Sequence, residues 1–161
     1  LANFDYNNSP YFISQHNFSG KEIILSTSAG TKGIIAAEKA DEIITGSFVN
    51  IAAAAQYIKR KNPEFVSLIA MGNNGVKDAD EDNLYTQELG KILKDEKALT
   101  EAEIKNRLRS PAGDRFFREA TQSEMPKEDF EFSLRINKFN FVIKADKTEA
   151  DIYQLKREEV R

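Results

Sequence analysis

The chain has 161 residues, 40% of them hydrophobic and 30% charged, with a formal net charge of −3 and no cysteine. That length suits one domain burying roughly 70% of its unfolded surface. The balance of acids and bases argues against a nucleic-acid partner, and the lack of cysteine excludes disulfides, thiolate catalysis and Cys-based zinc sites.

No apolar run approaches the ~20 residues a membrane helix needs, and no signal-peptide pattern is present. The expectation is a cytoplasmic domain without membrane contact. Residues 1–20 read as a polar loop anchored by Tyr6, Tyr11 and Phe12. A start at Leu1 in such a loop reads as the later part of something longer.

The first regular stretch is Glu22-Ile-Ile-Leu-Ser-Thr27, an apolar β-branched run that breaks at Ser28-Ala-Gly-Thr31 and passes into helix formers from Lys32. A buried strand, a small-residue turn and a helix make half of a βαβ unit. Backbone amides and hydroxyls at such a turn suit an anion, because unpaired N–H groups and the helix dipole point the same way.

The pattern repeats twice. Asp41-Glu-Ile-Ile-Thr-Gly46 is a second short strand, followed by Ser47 or Asn50 as a cap and a helix from Ile51 to Lys61 that Asn62-Pro63 stops. Residues 64–71 form a third strand, apolar on both faces as in a covered parallel sheet. Gly72-Asn-Asn-Gly75 turns the chain into a helix beginning at 79–82, acidic in its first turn, and running to about Lys94. Three such units predict a parallel sheet with helices on its faces.

In the second half Thr100-Glu-Ala-Glu103 is a capping box opening a helix to about Arg109. Ser110-Pro111 predicts another helix, reaching about Ala120. Residues 127–138 fit either a strand or a helical face, whereas Phe139-Asn-Phe-Val-Ile143 is a strand. The domain is placed at 1–146, and 147–161 is a charged C-terminal segment able to form a closing strand, an edge helix or a tail.

On the parallel topology the loops 26–31, 46–50 and 72–82 converge at the carboxyl ends of the strands, where ligands gather. The first offers Ser28, Gly30 and Thr31, the second Ser47 and Asn50, the third Asp78, Asp80, Glu81 and Asp82. Amide and hydroxyl donors opposite carboxylates suit a Mg²⁺-assisted phosphate site. Each piece has a plainer reading: an ordinary turn, a helix cap, a solvated helix start. His16 is the one histidine, placed in a polar loop.

Four stretches occur in order over residues 3–90: Asn3-Phe-Asp-Tyr-Asn-Asn-Ser-Pro10, Leu25-Ser-Thr-Ser-Ala-Gly-Thr31, Gly46-Ser-Phe-Val-Asn50, and Gly72-x-x-Gly75 ahead of Glu81-Asp82. Together they resemble the 2-phosphosulfolactate phosphatase family. The resemblance implies an α/β fold of three layers, α/β/α, with a mostly parallel, mixed sheet. It also implies Mg²⁺-dependent removal of phosphate from a small sulfonated or carboxylated ester. On it, Glu81, Asp82 and Asp5 hold Mg²⁺, Ser28, Gly30, Thr31 and Ser47 bind phosphate, and Asn50 orients substrate or water, with Asp82, Glu81 and Asn50 catalytic. Ala29 departs from the family, standing where its loop carries an amide side chain. Family members also carry an upstream segment with an Asp and an Arg at a strand end. The alternative is a non-catalytic small-anion-binding or structural homologue, and a homodimer is the partner expected if the chain associates.

Overall fold

The computed structural model describes residues 4–27, 29–149 and 152–160. In chain order the elements are α1 (Pro10–Ile13), α2 (Gly30–Ala36), β1 (Ile44–Thr45), a 3₁₀ turn (Phe48–Asn50), α3 (Ile51–Lys61), α4 (Asp80–Leu93), α5 (Glu101–Arg109), 3₁₀ turns at Ala112–Phe117 and Glu119–Thr121, α6 (Lys127–Ser133), β2 (Phe141–Glu149) and β3 (Ile152–Glu159).

The helices begin and end where local chemistry directs. The α3 helix follows the Ser47–Asn50 turn and stops at Asn62 in the left-handed region, φ 47°, just before Pro63. The α4 helix opens on Asp80, Glu81 and Asp82, acids that its dipole favours there. The α5 helix is opened by the Thr100–Glu103 capping box. Ser110-Pro111 leads into 3₁₀ turns instead of the expected α-helix. Gly113 lies in the first of them, and a Cβ there would stand 2.5 Å from the Leu108 carbonyl oxygen and 2.8 Å from the Phe130 ring. The tight turn lets α6 press that ring onto the end of α5.

The sheet corrects the topology expected from sequence. The chain is α/β in the general sense, but its sheet is three-stranded and wholly antiparallel, in the order β1-β2-β3. It is not a mostly parallel, mixed sheet between two helical layers. Of the three expected parallel strands, the second survives as Ile44–Thr45, antiparallel to Lys144 and Ile143 of β2. Residues 22–27 and 65–71 carry neither strand nor helix. Apolar β-branched composition records a preference for burial; it does not specify which segment supplies the neighbouring ladder. Here the ladder comes from β3, which hydrogen-bonds β2 from Phe141↔Glu159 to Glu149↔Ile152, with an irregularity between Lys147 and Glu149. The charged end of the chain is therefore a strand. Lys144 and Lys156 face each other across this ladder, and Asp146 bridges both at 3.3 and 3.2 Å, relieving the like-charge pair.

The core lies between the helices and the inner face of β2. Ala53, Ala54, Ala55 and Tyr57 of α3 pack with Leu84 and Leu89 of α4, Ile104 and Leu108 of α5, Phe130, Leu134, Val142 and Val160. Small residues along α3 let α4 approach it closely. Among the described residues no helix is long and apolar enough to cross a membrane.

Candidate functional site

The second and third of the loops singled out above contact α4, and α2, which follows the first, packs on Met71. At the third, Gly72 has φ 60° and donates its N–H to Asp82 Oδ2 at 2.7 Å. The turn is closed by Asn73 N–H to the Lys77 carbonyl at 2.7 Å, with Asn74 and Gly75 also at positive φ. A Cβ at Gly72 would lie 2.1 Å from the Lys77 carbonyl oxygen, so only glycine fits. The bond engages one Asp82 oxygen. The other makes no hydrogen bond among the described residues.

The helix after the first loop packs on the residue before the third. Gly33 of α2 faces Met71, whose Sδ would stand 2.4 Å from a Cβ at that position. The second loop meets α4 one turn beyond Asp82, where Gly46 rests on the Tyr85 ring and a Cβ would be 2.3 Å from its hydroxyl. That hydroxyl is sealed from solvent without a well-formed hydrogen bond. Burial pushes the Tyr85 phenol up to about 12, and the Ser47 backbone offsets a little of this. Tyr85 is therefore neutral at physiological pH.

The individual side chains are less available than their types suggest. Thr31 donates its hydroxyl to the Thr27 carbonyl at 2.8 Å, and its N–H approaches Thr27 Oγ1 at 3.4 Å. Gly30 opens α2, and its N–H makes no backbone hydrogen bond among the described residues. Ser28 lies outside the described residues. Asn50 is buried, accepting Ser47 N–H at 3.2 Å and donating to the Phe141 carbonyl at 2.9 Å. Its amide thus ties the 3₁₀ turn to β2. Ser47 is exposed.

Glu81 is held by Arg115 at 2.9 Å, and Arg115 stacks over Phe116 at 5.0 Å. Asp78 and Asp80 are exposed, and Asp80 lines a surface cavity of about 310 Å³ with Asn83, Gln87 and Arg107. Asp5 sits apart in the bonding pattern. Its loop is anchored by Asn7 to the Glu124 carbonyl, and by Ser9 Oγ and Tyr11 N–H to Asp129 Oδ1 at 2.7 and 2.9 Å. No bond among the described residues brings Asp5 to Glu81 or Asp82.

Among the described residues no group of three or more His, Cys, Asp or Glu gathers closely enough for a metal ion. Mg²⁺ is commonly held by only one or two carboxylates, with waters and a substrate phosphate. Asp82 keeps one oxygen without a hydrogen bond among the described residues, and Asp78 and Asp80 are exposed a few positions before it in the sequence, carboxylates of the kind such a partial shell uses. Glu81 has one oxygen, Oε1, engaged by Arg115.

The family model for 2-phosphosulpholactate phosphatase matches residues 1–148, most of the chain. The chain belongs to that family. A probable 2-phosphosulfolactate phosphatase of Thermotoga petrophila is 40% identical over 72 residues, covering 45% of this chain and 30% of that protein. Similarly named proteins of Clostridium perfringens strain 13 and Trichormus variabilis are 35% and 31% identical over 75 residues, covering 47% of this chain and 30% and 31% of theirs. The matched stretch thus spans under a third of each of these relatives. No solved structure matches the chain.

Sequence reasoning did not single out three side chains that hold these loops: Arg115, in a segment read as helix, which engages Glu81; Tyr85, on which Gly46 rests; and Asp129, which anchors Ser9 and Tyr11. Ser9-Pro10 signalled an N-cap with proline at the first helical position, and hence α1, but not its partner Asp129, 120 residues away.

Proposed function

We propose that this chain forms part of a Mg²⁺-dependent phosphatase that hydrolyses a small phosphomonoester carrying a second anionic group, sulfonate or carboxylate. Family membership supports the phosphatase class. The observation that carries the site is the Gly72 N–H···Asp82 bond, which holds a carboxylate of the first turn of α4 against the glycine turn that follows Met71.

In this reading water attacks phosphorus, the ester P–O bond breaks, and the leaving oxygen takes up a proton. Bound Mg²⁺ would neutralise charge developing on the phosphoryl oxygens. Asp82, with Asp80 or Asp78, would hold it. The Gly30 N–H and the Ser47 hydroxyl would donate to phosphoryl oxygens, the preorganised contribution that costs nothing at the moment of reaction. Arg115 would fix Glu81 and add positive charge at the rim.

The test is hydrolysis of p-nitrophenyl phosphate with Mg²⁺ or with EDTA, using the wild-type chain and Asp82→Asn. Asparagine keeps an oxygen for Gly72 N–H but loses the charge a cation needs. A loss of about 100-fold or more in kcat/KM, with the circular dichroism spectrum kept, is expected. An undiminished rate would remove Asp82 from the metal site.

A second reading has its own support. The Thr31 hydroxyl is turned back to Thr27, the Asn50 amide is engaged at both ends, and Ala29 offers only a methyl. These favour a non-catalytic small-anion-binding homologue. Such a protein would gain about 2.7 kcal/mol from inorganic phosphate at 100 times its Kd, in EDTA and without turnover.

A further inference from the structure

The cavity of about 310 Å³ that Asp80 lines opens between α4 and α5. Asp80, Asn83, Leu84 and Gln87 reach it from α4 at positions i, i+3, i+4 and i+7, a single stripe of that helix. Arg107 and Leu108 reach it from α5. Among the described residues the side chains of Asp80, Asn83, Gln87 and Arg107 make no hydrogen bond or ion pair. Charged groups next to them in sequence are engaged: Glu81 pairs with Arg115, and Arg109 with Asp114.

The wall selects a kind of ligand. Leu84 and Leu108 are 3% and 4% exposed and form an apolar floor, while Asp80, Gln87 and Arg107 are exposed at the rim. Arg107 presents a planar fork of donors that matches a carboxylate. Asp80 presents acceptors for an ammonium group. The two line the same cavity yet do not pair with each other, so opposite charges stand apart within it. The carboxamides of Asn83 and Gln87 each offer both donors and an acceptor. A space of this size is at the small end for small-molecule sites.

We propose that this cavity binds a small zwitterion, a free α-amino acid with an aliphatic side chain. Its carboxylate meets Arg107, its ammonium meets Asp80, and its hydrocarbon covers Leu84 and Leu108. Such a ligand answers both charges and the apolar floor together. A plain anion would be repelled by Asp80, and a plain cation by Arg107. The site does not depend on the hydrolytic reading. Asp80 then serves this cavity, and Asp78 is the partner left for Asp82.

The experiment is a titration of the isotope-labelled chain with L-leucine in EDTA, followed by the backbone amide resonances. It runs to about 50 mM, ample for the roughly millimolar Kd of a small ligand in an open site. Saturable shifts confined to α4 and α5 are expected. Isocaproate, which lacks the ammonium group, and isoamylamine, which lacks the carboxylate, should each bind at least tenfold more weakly. Arg107→Gln should weaken leucine binding at least tenfold with the rest of the spectrum kept. Arg118→Gln removes another exposed arginine charge, outside the cavity, and should leave binding unchanged. An absence of saturable shifts would overturn the proposal, as would isocaproate binding as tightly as leucine or binding indifferent to Arg107→Gln. A requirement for Mg²⁺ would return Asp80 to the metal site and overturn it too.

Discussion

Replacing Gly72 by alanine tests the local architecture of the candidate site most directly. Residue 72 has φ 60°, and the added Cβ would stand 2.1 Å from the Lys77 carbonyl oxygen, a backbone atom in the same closed turn. A non-glycine residue held in the left-handed region costs about 1–3 kcal/mol by itself. The close approach adds to that, because relief requires breaking the 2.7 Å bond between Asn73 N–H and that carbonyl. Moving the turn also pulls the Gly72 amide from Asp82, a bond to a charged acceptor worth about 1.5–3 kcal/mol. These contributions overlap, so a loss of about 3 kcal/mol is expected. For a chain of this size that lowers Tm by about 6–12 °C. Urea unfolding followed by circular dichroism measures it. A cycle with Asp82→Ala isolates the shared part, with a coupling of about 1 kcal/mol or more expected. A change under about 0.5 kcal/mol for Gly72→Ala would refute the reasoning, since the turn would then tolerate a side chain where the geometry forbids one.

Glu88 is almost fully buried, accepting Leu99 N–H at 2.7 Å and pairing with Lys91 at 2.7 Å. Glu88→Ala strips the Leu99 amide of its partner and should cost about 2–3 kcal/mol in the same unfolding assay, whereas an effect near zero would mean water replaces the carboxylate. The acid limb of the stability curve should depend on Glu42. Its burial opposes ionisation, but hydrogen bonds from Tyr57 and Lys61, with the Lys61 and Lys144 charges, hold it below the usual carboxylate range. A depressed native pKa contributes stability that is full above the unfolded value of about 4.3 and lost as pH falls through the native one. Unfolding followed from pH 6 to 3 should therefore show a loss below about 4.3 that shrinks in Tyr57→Phe, and parallel curves would rule out the Tyr57 bond as a cause.

Most helix boundaries were legible because they are set by neighbours a few residues away. Thr100 and Glu103 cap α5, Asn62-Pro63 ends α3, and the acids at 80–82 open α4, each by bonds or dipoles confined to one turn. The family was legible too, through four short motifs in order. The sheet was not. Residues 22–27 and 64–71 read as strands from composition, but a ladder exists only where another backbone lies alongside, and β2 takes its partner from the charged residues Ile152–Glu159. The site shows the same division. Gly72, Asp82 and Asn50 could be picked out as types. That Asn50 spends its amide on Ser47 and Phe141, and that Glu81 is held by Arg115, depends on partners 91 and 34 residues away.

Sequence alone thus determined α3, α4 and α5, their boundaries and the family, because those follow from periodicity, capping and short motifs. Tertiary structure alone decided which strands pair, which apolar runs stay bare and which polar side chains are left for a ligand. Those outcomes turn on long-range neighbours, and a side chain's chemistry is set as much by the group it already touches as by its own type.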